Sequence, residues 1–157
     1  MALSKQIAIG MAAFGLFMVG SLVGAPASMA ATGASVQAAC TDGVNPTLLP
    51  GPTTKRSVPG PVGSLVELRY SSNDCAWGRI SNVACGFGCG DAVWVDRAVN
   101  RTEANKGNWQ GLLGWSLVNP GEHGQYSLAY NDNGPIMRAC AQIYGGAGQV
   151  ILCTDWY

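Results

Sequence analysis

The sequence predicts a mainly β fold: a small antiparallel sandwich or partly closed barrel stapled by disulfides. Two observations predict it. Runs that alternate apolar and polar residues recur at 66–81, 126–130 and 137–156, bounded by Gly-, Asn- and Ser-rich turns. All six cysteines lie beyond an apolar N-terminal run, and an even set in a small exported domain is a disulfide framework.

Taken in order, residues 1–30 carry the layout of a secretory signal peptide. Lys5 gives a positive start, Ile7 to Val23 is uncharged, Gly24 and Pro26 break any helix, and Ser28-Met29-Ala30 is a small-x-small cleavage triplet. Ala38, closing Val36-Gln37-Ala38, is a second possible site. A retained membrane anchor is the alternative, since the apolar run approaches the lower limit for spanning. A lipoprotein attachment at Cys40 is rejected, because Gln37 stands where an aliphatic residue is needed. With Lys5 removed, eight Lys and Arg face nine Asp and Glu, a net charge of −1. That balance supplies no basic field for nucleic acid or anionic lipid. The expectation is a secreted protein, extracellular or associated with the cell envelope, that touches no membrane after cleavage.

Residues 31–61 are rich in Pro, Gly, Thr and Ser and are expected to form a loosely ordered lead-in. Residues 62–157 are expected to form a single β-rich domain. It opens on a hairpin. With Ser71 to Cys75 as its loop, Tyr70 faces Ala76, Leu68 faces Gly78 and Val66 faces Ile80 on one side. The other side carries Arg69 opposite Trp77 and Glu67 opposite Arg79. One register thus sorts apolar residues inward and charged ones outward, which is what specifies a hairpin. The outer face is expected to hold a solvated ladder, with an Arg69–Trp77 cation–π contact and a Glu67–Arg79 pair. A helical turn from Asp74 to Ile80 capped by Asn73 competes, but Gly78 disfavours it.

Residues 82–91 hold three glycines with Cys85 and Cys89 and read as a loop. Ala92-Val93-Trp94-Val95 reads as a buried strand. Residues 100–110 read as a polar surface loop, and 111–118 is apolar but glycine-interrupted. Tyr126, Leu128 and Tyr130 alternate with Ser127 and Ala129, a half-buried strand ended by Asn131-Asp132-Asn133-Gly134. At the end, Met137–Tyr144 and Gln149–Trp156 flank Gly145-Gly146-Ala147-Gly148. A symmetric hairpin pairs Tyr144 with Gln149, Met137 with Trp156 and Cys140 with Cys153, within disulfide reach. Cys40–Cys75 would then anchor the lead-in, leaving Cys85–Cys89 to close a glycine loop; six cysteines allow fifteen pairings, and spacing alone does not choose among them.

At Val66-Glu67-Leu68-Arg69-Tyr70-Ser71, Cys75 and Trp77-Gly78-Arg79-Ile80, the chain resembles a family of exported, mainly actinobacterial domains catalogued as domain of unknown function 2690. Arg138-Ala139-Cys140 and Cys153-Thr154-Asp155-Trp156-Tyr157 resemble its closing pattern. Two features depart from it: Thr47-Leu48-Leu49-Pro50 stands where members carry a further cysteine, and the Cys85/Cys89 loop is extra. The resemblance implies an exported location and a fold class, not a reaction.

Catalytic chemistry finds little footing. A hydrolase needs a nucleophile with a base, a metal, or placed carboxylates. His123 is the only histidine and follows Pro120-Gly121-Glu122 in a turn, and paired cysteines are not nucleophiles. Asp91, Asp96 and Asp132 are the available acids, with turn roles suiting Asp91 and Asp132. Cys85 and Cys89 have no second close ligand pair, so zinc is not expected; neither is any cofactor. Binding is the favoured reading. Trp109, Trp115, Tyr126, Tyr130, Trp156 and Tyr157 are candidate stacking platforms, although Trp94, Trp115 and Trp156 are better read as the core of a small β domain. The candidate interaction face is Glu67, Arg69, Trp77 and Arg79, with Trp109 as the exposed tryptophan. The partner would be an extracellular protein or cell-envelope polymer. The alternative is a small cell-wall-directed hydrolase using a carboxylate site.

Overall fold

Alternation and turn chemistry determine where the strands fall. The computed structural model describes residues 38–84, 90–145 and 148–157, all within one unit of the chain. Nine strands run in chain order: β1 (Thr53–Pro59), β2 (Leu65–Tyr70), β3 (Cys75–Ser81), β4 (Ala92–Ala98), β5 (Gln110–Leu117), β6 (Gly124–Tyr126), β7 (Tyr130–Asn131), β8 (Ile136–Gly145) and β9 (Gly148–Cys153). Among the described residues one short α-helix, α1 (Arg101–Asn105), precedes β5. The first sheet has the order β1-β2-β3-β6, with β7 also pairing β3; the second has the order β5-β4-β8-β9. All pairings are antiparallel, and β2 and β3 pack against β4 and β8. The fold is therefore a β sandwich of two open sheets, not a closed barrel.

The opening hairpin has the expected register: Val66 pairs with Ile80, Glu67 with Arg79, Leu68 with Gly78, Arg69 with Trp77 and Tyr70 with Ala76. Its apolar side supplies Val66, Leu68, Tyr70, Ala76 and Ile80 to the core, which β4 and β8 complete with Val93, Val95, Met137, Ala139, Ala141 and Ile143. Burying each larger aliphatic side chain contributes about 1.5–3 kcal/mol. At Gly78 the sheets approach closely: a Cβ there would lie 2.8 Å from the Trp94 carbonyl oxygen and 2.9 Å from Val93 Cγ2. The inner pairing of the opening hairpin thus needs a residue without a side chain.

The closing hairpin also has its expected register through Cys140–Cys153 and Tyr144–Gln149. The Cys140 and Cys153 Cα atoms are 4.0 Å apart and their sulfurs are bonded, as are those of Cys40 and Cys75. Bridges of this kind mark an oxidising environment. The Cys85–Cys89 expectation falls outside the described residues. No helix among the described residues is long and apolar enough to cross a membrane.

Five expectations are corrected. Part of the lead-in is ordered sheet: β1 pairs with β2 along its length, and the β-branched Thr53, Thr54 and Val58 suit that edge. Residues 100–110 include α1, capped by the Asn100 side chain accepting from the Glu103 N–H at 3.0 Å. The strand expected over 126–130 is broken into β6 and β7, because Ser127 turns inward: its N–H donates to the Gly78 carbonyl and its hydroxyl accepts from the Gly78 N–H, both at 2.9 Å. Met137 pairs with Tyr157, not Trp156, through bonds of 3.0 and 2.9 Å. The Thr154 hydroxyl accepts the Ala139 N–H at 3.1 Å, standing in for a backbone carbonyl and letting the strand slip by one residue. Trp156 consequently packs against Ala98 and Ala104. Trp115 is not core. It lies 45% exposed on β5, whose pairing with β4 is broken by register shifts near Leu112 and Gly114, both at positive φ.

A candidate binding cleft on the first sheet

The outer face of the opening hairpin carries the residues expected there, but not in the expected setting. Glu67 and Trp77 are buried, at 7% and 2% exposure. The cover comes from residues 40–52. Cys40, bridged to Cys75, packs with Ala129 and Leu49 around the Trp77 ring. Backbone bonds fasten the same segment: the Cys40 N–H donates to Asn73 O at 3.2 Å, and Val44 exchanges bonds with Ala129 at 3.2 and 2.9 Å. The solvated ladder is thus a covered one, because the disulfide draws the lead-in across it.

Beneath that cover Glu67 is the hub. Its Oε1 accepts from the Thr54 hydroxyl at 2.8 Å and lies 3.6 Å from Arg69 Nη1; its Oε2 lies 3.3 Å from Arg79 Nη1. The Glu67–Arg79 pair is therefore present as expected. Among the described residues no cation–π contact joins Arg69 to Trp77; instead the Arg79 guanidinium lies 5.8 Å from the Tyr126 ring centre. Burial of Trp77 under Leu49 leaves its indole face to the lead-in rather than to Arg69.

A cleft of about 160 Å³ opens beside this hub, lined by Pro46, Thr47, Leu49, Pro52, Arg69, Trp77 and Tyr126. Two side chains that line it carry buried donors, Arg69 Nε and Trp77 Nε1, that have no hydrogen-bond partner among the described residues. Buried polar groups are nearly always paired, so two orphans on side chains that line one cleft call for an explanation. Larger depressions of about 510 and 410 Å³ lie near Arg97 and Pro135, but they are more open to solvent.

The other expected site residue, Trp109, does not join the cleft. It stands just before β5 in the second sheet, its ring 4.7 Å from the Arg138 guanidinium, which also lies 4.6 Å from the Trp156 ring; the two rings meet edge to face with centres 6.0 Å apart. Arg138 is held by Asp96 at 2.8 and 2.9 Å, and Asp96 also accepts from Trp94 Nε1 at 3.0 Å. This ladder is packing that locks the sheet surface. Of the other acids, Asp91 is buried and accepts the Tyr144 N–H at 2.7 Å. Burial pushes the Asp132 carboxyl up to about 7. His123 is exposed, with Nδ1 3.0 Å from Val83 O. The one grouping of three metal-capable side chains among the described residues is Asp96 with Cys140 and Cys153, whose sulfurs are spent in their disulfide.

Sequence reasoning placed Glu67, Arg69, Trp77 and Arg79 together and named Tyr126 only as one of several aromatics. It missed the walls, Pro46, Leu49 and Pro52, whose segment has no periodicity to read; Cys40 was the one signal that this segment returns to the sheet. Compared with family models, with curated proteins and with solved structures, the chain matches none.

Proposed function

We propose that this is an exported binding module that engages an extracellular or cell-envelope partner through the cleft of Arg69, Trp77 and Tyr126, and that it works without catalysis. The observation that carries this reading is the pair of buried donors, without partners among the described residues, on two side chains that line one cleft. The half-exposed Tyr126 at the cleft and a basic residue beside it are the side-chain types that anchor interfaces. The export layout of residues 1–30 and the resemblance to exported domains of unknown function agree with such a role.

The test is capture from isolated cell envelope and from culture supernatant by the oxidised protein. Wild type should retain a partner that Tyr126→Ala, melting at the wild-type temperature, retains at least tenfold less. Equal capture by the two would sink the cleft as the binding site.

A further inference from the structure

We infer that the cleft takes a free carboxylate carried on a compact apolar body, the chemistry of a peptide C-terminus ending in an apolar residue. The inference rests on the binding reading above and names its ligand class.

The unmet groups of the cleft are donors. Arg69 Nε and Trp77 Nε1 both lack partners among the described residues, and the Glu67 oxygen nearest Arg69 lies at 3.6 Å, an ion pair beyond hydrogen-bond length. Glu67 is already committed to Thr54 and Arg79 and does not line the cleft. Two arginines share one carboxylate here, so the site keeps a net positive charge. A guanidinium fork with free donors is matched in geometry to a carboxylate, which accepts through both oxygens.

The walls choose among carboxylates. Pro46, Leu49 and Pro52 are apolar, and the Thr47 hydroxyl already donates to Asn45 Oδ1 at 2.9 Å. Among the described residues no carboxylate lines the cleft, so the hydroxyls of a sugar acid find few strong acceptors there. An aliphatic side chain beside a carboxylate finds both its needs met. The volume, about 160 Å³, is well below the roughly 300–1,000 Å³ of drug-sized pockets. It suits one terminal residue and not a long ligand. Backbone and side-chain donors that capture a chain terminus are an established mode of peptide recognition.

The test is a titration of the ¹⁵N-labelled oxidised protein with N-acetyl-leucine, followed on the tryptophan indole N–H resonances, with Trp77 assigned by its loss in Trp77→Phe. The Trp77 resonance should shift saturably. N-acetyl-leucine amide, which lacks the charge, should need at least tenfold more ligand, and Arg69→Gln should abolish the response. If Arg69→Gln does not fold, Leu49→Ser should weaken binding by the same measure. The proposal is overturned if N-acetyl-leucine gives no saturable shift, if the amide binds equally well, or if glucuronate shifts Trp77 at lower concentration than N-acetyl-leucine. Envelope capture that persists in wild type and fails in Tyr126→Ala, alongside any of these results, would remove the carboxylate and leave the binding function standing.

Discussion

Glu67 and Arg69 are neighbours in one strand with opposite duties. Glu67 is a buried anion held by Thr54 and two guanidiniums. Removing its charge leaves Arg79 and Arg69 facing each other with no anion between them. Because both arginines keep contact with solvent, the cost falls below that of a fully buried pair, at about 1–3 kcal/mol. Urea denaturation of Glu67→Gln should show that loss. Arg69→Gln leaves Glu67 its Thr54 and Arg79 partners and removes a side chain whose Nε has no partner among the described residues, so it should cost less stability than Glu67→Gln. Stability and binding should therefore separate between these two positions. Asp132 sets a different dependence. Its folded carboxyl titrates near 7 where an unfolded one titrates near 3.8, because burial disfavours the charge. Between those values the folded state holds the extra proton, so this group makes stability fall as pH rises from about 4 to about 7, with the full penalty present above that. Asp132→Asn should melt higher than wild type at pH 8, and the difference should vanish near pH 4.

At the scale of elements, the two hairpins were legible and the loops between them were not. Val66 to Ile80 admits one register that puts Val66, Leu68, Tyr70, Ala76 and Ile80 on one side, and the glycine loop centres a symmetric pairing that sets Cys140 opposite Cys153; both registers are the observed ones. The break between β6 and β7 was hidden because it depends on Ser127 bonding to Gly78, a partner 49 residues away. The slip at Thr154 was hidden for a similar reason: a side-chain hydroxyl replaces a backbone acceptor, and alternation does not encode that. β5 escaped because its Gly114 accommodates the approach of Leu128 and Tyr130, a tertiary demand. The burial of Trp77 escaped as well, since its cover comes from a segment without pattern. Gly78 shows how closely the elements fit. Gly78→Ala places a methyl against the Trp94 carbonyl, and overpacking of this kind costs about 1–3 kcal/mol. The variant should melt markedly lower, and an unchanged melting temperature would mean that the sheets can separate there without loss.

For the whole molecule, the two disulfides constrain different things. Cys140–Cys153 joins adjacent strands 13 residues apart in sequence, whereas Cys40–Cys75 joins the lead-in to the sheet across 35. Loop-closure entropy assigns about 3 kcal/mol to the first and about 4 kcal/mol to the second. Replacing both members of the second bridge by serine should also raise hydrogen exchange across residues 40–52 and expose Trp77, read as quenching of its fluorescence by acrylamide. The same bridge governs when the protein becomes competent. Pro46, Leu49 and Pro52 reach the sheet on the segment that Cys40 fastens, so a reduced chain has the hairpin without its wall. The cleft is then a product of oxidation as much as of folding. Under the proposed binding role, a chain still in a reducing compartment would lack an assembled cleft, and the reduced protein should fail to capture the partner that the oxidised protein retains.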